Sequence, residues 1–229
     1  MAKIKNKETQ DTGAEAIENA LTKTEQYIEN NQKSLIIILL AIIVIVGTFW
    51  GYRKLYIAPM EKEAKSQIFA AERYFEQDSF RLALYGDGNY LGFIDIIDSY
   101  GPSKVGNLAQ YYAGISYRGL GEYEEAITHL KRFSTSDRMI ASVAFGSIGD
   151  CYVQLGQLQD GLKYYVRAAK HGKNNFTTPI YLMKAGQVYE ELGKYAEALK
   201  VYEDIKKNFS TSAEAREIEK YITRVSIKK

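Results

Sequence analysis

One cysteine, Cys151, and two histidines, His129 and His171, are the side chains on which nucleophilic or metal chemistry would first draw in this sequence. A thiol nucleophile needs a base within hydrogen-bond reach, and only those two histidines could supply one. A zinc site needs several Cys or His ligands at short, regular spacing, and neither histidine has such neighbours. Cys151 lies between Asp150 and Tyr152 in a helical stretch, where a small buried side chain is the expectation and a catalytic thiol the competing one. Gly86-Asp87-Gly88-Asn89 is glycine-rich but follows no strand, so it lacks the setting of a phosphate loop. Asn175-Phe176-Thr177 and Asn208-Phe209-Ser210 fit a glycosylation acceptor, a pattern short enough to arise by chance. The sequence therefore offers no catalytic constellation and implies no cofactor or metal.

The composition supports a folded helical chain. Of 229 residues, 46% are hydrophobic and only 3 are proline, which argues against disorder. The 30 basic and 28 acidic residues leave a net charge of +2, without the basic excess of a nucleic-acid binder. A single cysteine excludes an internal disulfide, so the fold must rest on apolar burial. None stands near the N-terminus to carry a lipoprotein anchor.

Residues 1–33 form a polar tail, and residues 34–52 read as a transmembrane helix. Leu35 to Tyr52, LIIILLAIIVIVGTFWGY, carries no charge. A helix rising 1.5 Å per residue over such a run crosses roughly the ~30 Å hydrocarbon core. Trp50, Tyr52 and Tyr56 cluster at its C-terminal edge, where aromatic rings favour the headgroup layer. A cleaved signal peptide is the alternative. The long leader, the long apolar run and GTFWGYRK, which lacks a small-x-small site, oppose it. Arg53, Lys54, Lys62 and Lys65 outnumber the basic residues close to the other flank. That count favours a cytoplasmic C-terminal side, although long domains translocate regardless of it. Within the tail, Ala14 to Asn31 could form an amphipathic docking helix with Ile17, Ala20, Leu21, Thr24 and Ile28 on one face.

Beyond the anchor, three segments repeat: AGISYRGLGEYEEAITHL (113–130), IGDCYVQLGQLQDGLKYY (148–165) and AGQVYEELGKYAEALKVY (185–202). Each has a glycine followed three residues later by tyrosine (Gly114, Gly149 and Gly186), then Leu-Gly, then a small residue (Ala126, Gly161, Ala198). The turn glycines Gly121, Gly156 and Gly193 lie 35 and 37 residues apart. This pattern resembles the tetratricopeptide repeat, a helix A–turn–helix B unit of about 34 residues. The small residues would let the two helices approach, Leu130, Tyr165 and Tyr202 would fill the seam, and successive copies would stack into a solenoid. The fold expected is all-α, a single N-terminal transmembrane helix followed by an α-solenoid. Residues 53–103 are expected to hold a linker helix and a divergent first repeat, with one helix from Met60 to Leu84 and a second over Tyr90 to Ser99. FIDIIDSYGPS there echoes YEDIKKNFSTS from Tyr202. Repeats are then expected over 104–138, 139–175 and 176–210, and a capping helix over 211–229.

In stacked repeats the A helices line a groove. Register alignment places Leu108, Tyr111, Ile115 and Arg118 there from the first repeat, Val143, Gly146, Asp150 and Val153 from the second, and Ile180, Met183, Gln187 and Glu190 from the third. The competing expectation is that several of these are core. Tetratricopeptide domains that capture acidic chaperone tails use a Lys/Arg/Asn clamp on this face, which these positions lack. An extended or helical apolar peptide suits them better.

The layout as a whole, with EQYIENNQKSL leading into one span, then a long helix and repeats, resembles the YfgM family of ancillary SecYEG translocon subunits. The resemblance implies a single-pass protein of the bacterial inner membrane with a cytoplasmic N-terminus and periplasmic repeats. The implied partners are the SecYEG translocon, a PpiD-type membrane-anchored peptidyl-prolyl isomerase and unfolded secretory polypeptides, with the lipid bilayer around the anchor. A scaffold of another envelope secretion or assembly complex would use the same parts, and sequence alone does not separate the two.

Overall fold

The computed structural model describes the backbone over residues 8–228, and the side chains over residues 27–228 apart from Glu29. The chain divides into two units, residues 1–56 and 57–229.

The first unit is built on α1 (Glu8–Tyr52). A helix on a soluble surface shows water one face and buries another. Here Leu35 to Val46 are apolar all round and exposed all round. Among the described residues this is the helix long and apolar enough to cross a membrane, and none of its apolar window is buried. Its C-terminal edge carries the expected amphipathic belt. Lys54 Nζ lies 4.8 Å from the Trp50 ring centre, and Tyr52 stacks on Tyr56 at 5.4 Å. The side chains of Ile17, Ala20, Leu21 and Thr24 lie outside the described residues, so the amphipathic face expected for the tail is not among those seen.

Among its described residues the second unit consists of helices joined by short loops. The single helix expected from Met60 to Leu84 is instead three: α2 (Ala58–Gln67), α3 (Phe69–Glu76) and α4 (Phe80–Tyr85). The main break falls at Asp78, whose φ of 54° is left-handed and stops the helix. The apolar periodicity runs on through this turn, which is why the sequence hides it. The next helix, α5 (Phe93–Tyr100), starts later than Tyr90 because Asp95 accepts the Gly92 N–H at 3.3 Å and fixes the N-terminus there.

Three helix pairs follow: α6 (Lys104–Leu120) with α7 (Tyr123–Arg132), α8 (Arg138–Gln154) with α9 (Leu158–Gly172), and α10 (Thr177–Glu191) with α11 (Tyr195–Asn208). Each pair turns on one glycine, with φ of 81° at Gly121, 74° at Gly156 and 70° at Gly193. The residue after each glycine donates its N–H to the carbonyl of Tyr117, Tyr152 or Tyr189, at 2.9, 2.8 and 2.8 Å. That bond takes up a carbonyl the helix end would leave unpaired. A 3-10 turn (Glu214–Glu217) and α12 (Ile218–Lys228) close the unit, burying Ile218 and Val225 against α11.

The seams are set by missing side chains. A Cβ on Gly114 would meet Leu130 Cγ at 2.5 Å, and one on Gly149 would meet Tyr165 Cδ1 at 2.6 Å. A Cβ on Gly186 would strike the Tyr202 ring. Glycine on helix A therefore admits a large side chain from helix B. Tyr202 is fully buried and Tyr165 is 4% exposed.

Candidate functional site

Asp150 on α8 is the node of the helix A face. Its Oδ2 accepts from Arg118 Nη1 at 3.1 Å, and its Oδ1 accepts from Lys184 Nζ at 2.6 Å and the Tyr165 hydroxyl at 2.7 Å. Arg118 also donates to Ser147 Oγ at 3.1 Å, and Lys184 rides over the Tyr165 ring at 5.6 Å. Two cations thus share one carboxylate, and the cluster keeps a positive surplus. It ties together the A helices α6, α8 and α10. Counted back from the turn glycines, Arg118, Asp150 and Lys184 sit three, six and nine positions away. The cluster therefore runs diagonally, one helical turn nearer the N-terminus at each step.

Around it opens a cavity of about 490 Å³. Arg118, Asp150 and Lys184 line it, as do the amides of Gln154 and Gln187, the apolar side chains of Val153 and Val188, and Glu191 at one edge. The volume is within the ~300–1,000 Å³ typical of ligand clefts. The lining supplies two cations tied to one carboxylate, with Glu191 as a second acid, amides able to pair with peptide groups, and apolar patches.

Burial shapes the phenols beneath. It pushes the Tyr165 hydroxyl well above its ordinary range, and the Asp150 charge adds to that. Burial, with the same charge behind it, pushes Tyr181 up to about 12. Both stay protonated, and Tyr165 donates its hydroxyl hydrogen to Asp150. Cys151 is fully buried, and burial pushes its thiol up to about 11, so it is a packed side chain with little thiolate. His129 hydrogen-bonds Gln110 at 2.8 Å and stacks on Tyr117, and His171 stands edge-on to Phe145. Among the described residues, no three His, Cys, Asp or Glu side chains converge as metal ligands.

With that geometry in place, the chain can be set beside known proteins. Family profiles described as tetratricopeptide repeat match residues 147–213 and 108–136. These stretches are tetratricopeptide repeats. A Podosopora anserina chain described as a kinesin light chain with nearly identical TPR-like repeats superimposes on the structure with a TM-score of 0.55 at 13% identity, over 72% of this chain and 86% of its own. The MamA protein does so with a TM-score of 0.52 at 16% identity, over 72% of this chain and 91% of its own. At such identities the likeness is one of fold, an all-α tetratricopeptide solenoid. No curated protein sequence matches the chain.

The tetratricopeptide register puts the expected groove residues in different places. Arg118, Asp150, Val153 and Gln187 line the cavity together. Tyr111 instead packs on Tyr112 and Phe133, with ring centres at 5.9 and 5.1 Å, and Ile115 packs against the apolar core. Ile180 and Met183 pack against the two later clusters. Leu108 and Val143 are half-buried and lie outside the cavity lining. Gly146 is buried where any Cβ would strike the Tyr181 ring. Reading positions by fixed register missed Lys184, Tyr165 and Gln154. The diagonal of charges is the signal that would have found Lys184.

Glu190, the last of the expected residues, faces the terminal helix. It accepts from Arg224 Nε at 2.8 Å, from Arg224 Nη2 at 2.6 Å and from the Tyr202 hydroxyl at 2.7 Å. Burial opposes its charge, but the bonds from Arg224 and Tyr202 outweigh it and hold the carboxyl below its ordinary value of 4.5. A carboxyl depressed in the fold stabilises above its unfolded pKa, and that contribution is lost as pH falls through the folded one. Arg224→Ala should therefore cost about 1 kcal/mol at neutral pH, a modest figure because Arg224 meets solvent. The cost should shrink as pH falls through the lowered folded pKa of Glu190, where the carboxyl is protonated in either protein. Hydrogen exchange of α12 checks it. Exchange as slow as in the parent at pH 7 would remove the role assigned to this pair.

Proposed function

We propose that the protein is a non-catalytic, membrane-anchored adaptor whose groove captures an extended or helical polypeptide segment. The observation that carries this is the open cavity between α6, α8 and α10, lined by a cation-rich cluster, two amides and apolar side chains. Amides and cations can pair with peptide carbonyls, and the valines with alternate side chains. The exposed apolar stretch of α1 supports placement at a bilayer. In finer terms, the reading is an ancillary subunit of the SecYEG translocon in the bacterial inner membrane. Its N-terminus would be cytoplasmic and its repeats periplasmic, passing secretory polypeptides to a PpiD-type isomerase. The leader Glu25–Leu35, the single span and the repeats in this order support that finer reading.

Purification in mild detergent tests both levels. The parent should bring down SecYEG subunits, the isomerase and unfolded client chains. Gln187→Trp fills the cavity from an exposed position, so it should leave the fold intact and cut client recovery about tenfold. Undiminished client recovery would overturn the groove. Recovery of a different envelope complex would overturn the translocon reading and leave the adaptor reading standing.

A further inference from the structure

A second cavity, of about 240 Å³, opens between α7, α8 and α9 and the loop joining α7 to α8. Its floor is apolar, made by Leu130, Ala144, Phe145 and Ile148 with Ala141 beside them. Ala141, Ala144, Phe145 and Ile148 recur at helical spacing on one face of α8. At 100° per residue that face is roughly opposite Asp150, Val153 and Gln154, so this cavity is separate from the helix A groove.

Its rim has a different character. Lys131, Arg167 and His171 surround the opening, with the Ser134 and Thr135 hydroxyls on the loop. No acidic side chain lines it. Among the described residues none of the three basic groups is in an ion pair. They rest instead on aromatic rings. The Arg167 guanidinium lies 3.9 Å from the Phe145 ring centre, and Lys131 Nζ lies 5.2 Å from that of Tyr152 and donates to its hydroxyl at 2.7 Å. Stacking of this kind holds a cation in place without neutralising it. An apolar floor under the unneutralised Lys131 and Arg167 matches a ligand with an apolar body and one negative head.

We infer that this cavity is a binding site for a small amphipathic carboxylate with a short aliphatic chain, such as a medium-chain fatty acid. The chain would lie on Phe145 and Ile148, and the carboxylate would pair with Arg167 and Lys131 at the rim. The volume is below the ~300–1,000 Å³ of drug-sized sites, so the occupant is short. The inference stands apart from the peptide groove, since the two cavities share no lining residue.

Isothermal titration of the full chain in nanodiscs with octanoate, with heats from empty nanodiscs subtracted, tests it. Saturable binding at one site per chain is expected, with a dissociation constant of about 1 mM or tighter, in line with the affinity open to so few atoms. The neutral analogue 1-octanol should bind at least tenfold more weakly. The doubly substituted Lys131→Gln, Arg167→Gln chain should also lose at least tenfold, and Arg167→Lys alone should lose less. Both exchanged residues are exposed. Should the double variant fail to fold, the octanoate-to-octanol ratio on the parent still decides. No saturable heat, equal affinity for the alcohol, or undiminished binding by a folded double variant would each overturn the site.

Discussion

Gly149→Val should destabilise the repeat domain by about 3 kcal/mol, the upper end of what overpacking costs in a well-filled interior. The reason is local and severe. A single Cβ at this position would already lie 2.6 Å from Tyr165 Cδ1 and 3.2 Å from the Gly161 carbonyl oxygen. Tyr165 cannot swing aside without giving up its bond to Asp150, and the Gly161 carbonyl belongs to the backbone of α9. The two helices must separate, and the small residue that permits their approach on the α9 side is then wasted. Gly121→Ala is the matched control. A Cβ there meets open space, but φ is 81°, so the cost is the left-handed penalty of roughly 1–2 kcal/mol. Urea denaturation in mild detergent, followed by the near-UV signal of the tyrosines, should order the midpoints as parent, Gly121→Ala, Gly149→Val. A Gly149→Val midpoint at or above that of Gly121→Ala would show that the seam can relax, and that close approach is not what the glycine secures.

These glycines also mark where the fold was open to reading and where it was not. Local constraints repeat with the sequence. The Leu-Gly turns and the small-residue positions recur in each copy because every copy solves the same backbone problem. The charged cluster repeats nothing. Its members come from different registers, since stacked repeats rotate against one another and bring residues three positions apart into line. A fixed-register comparison therefore found Arg118 and Asp150 but passed over Lys184. The same comparison placed Tyr111 and Met183 at the groove by register alone, but large apolar side chains pack on neighbouring rings and helices whenever these are within reach. The break at Asp78 stayed hidden for a related reason. A left-handed aspartate leaves no glycine or proline to announce the turn, and the flanking apolar periodicity reads straight through it. The apolar character of α1 needed no tertiary information, because whether a helix is long and apolar enough to cross a membrane depends on composition and length alone.

Asp150→Ala is the change that should couple stability to capture. It leaves Arg118 and Lys184 without their shared carboxylate and the Tyr165 hydroxyl without its acceptor, all in one step. Hydrogen bonds to charged groups are worth about 1.5–3 kcal/mol each when buried. Arg118 and Lys184 retain 35% and 36% of their side-chain exposure, so water takes over much of their solvation. The total loss should be about 2 kcal/mol. Asp150→Asn keeps a carbonyl for Tyr165 and should lose less than half of that. In a double-mutant cycle with Lys184→Met the two changes should fall short of additive by about 1 kcal/mol, since residues joined in one network couple. High salt should narrow the gap between parent and variant. Full additivity, or an unshifted Asp150→Ala, would mean that the three helices hold their positions without the cluster. The consequence for function follows from the same geometry. Arg118, Asp150 and Lys184 each sit on a different A helix, and those helices form the cavity walls. Peptide capture should therefore weaken in Asp150→Ala even for a neutral peptide that never touched the carboxylate, because walls no longer cross-tied must be ordered when the ligand binds. An acidic peptide, gaining two released cations, should lose less affinity or gain some. That reversal of preference separates loss of preorganisation from loss of contact, and a uniform drop for both peptides would leave the cluster with a packing role alone.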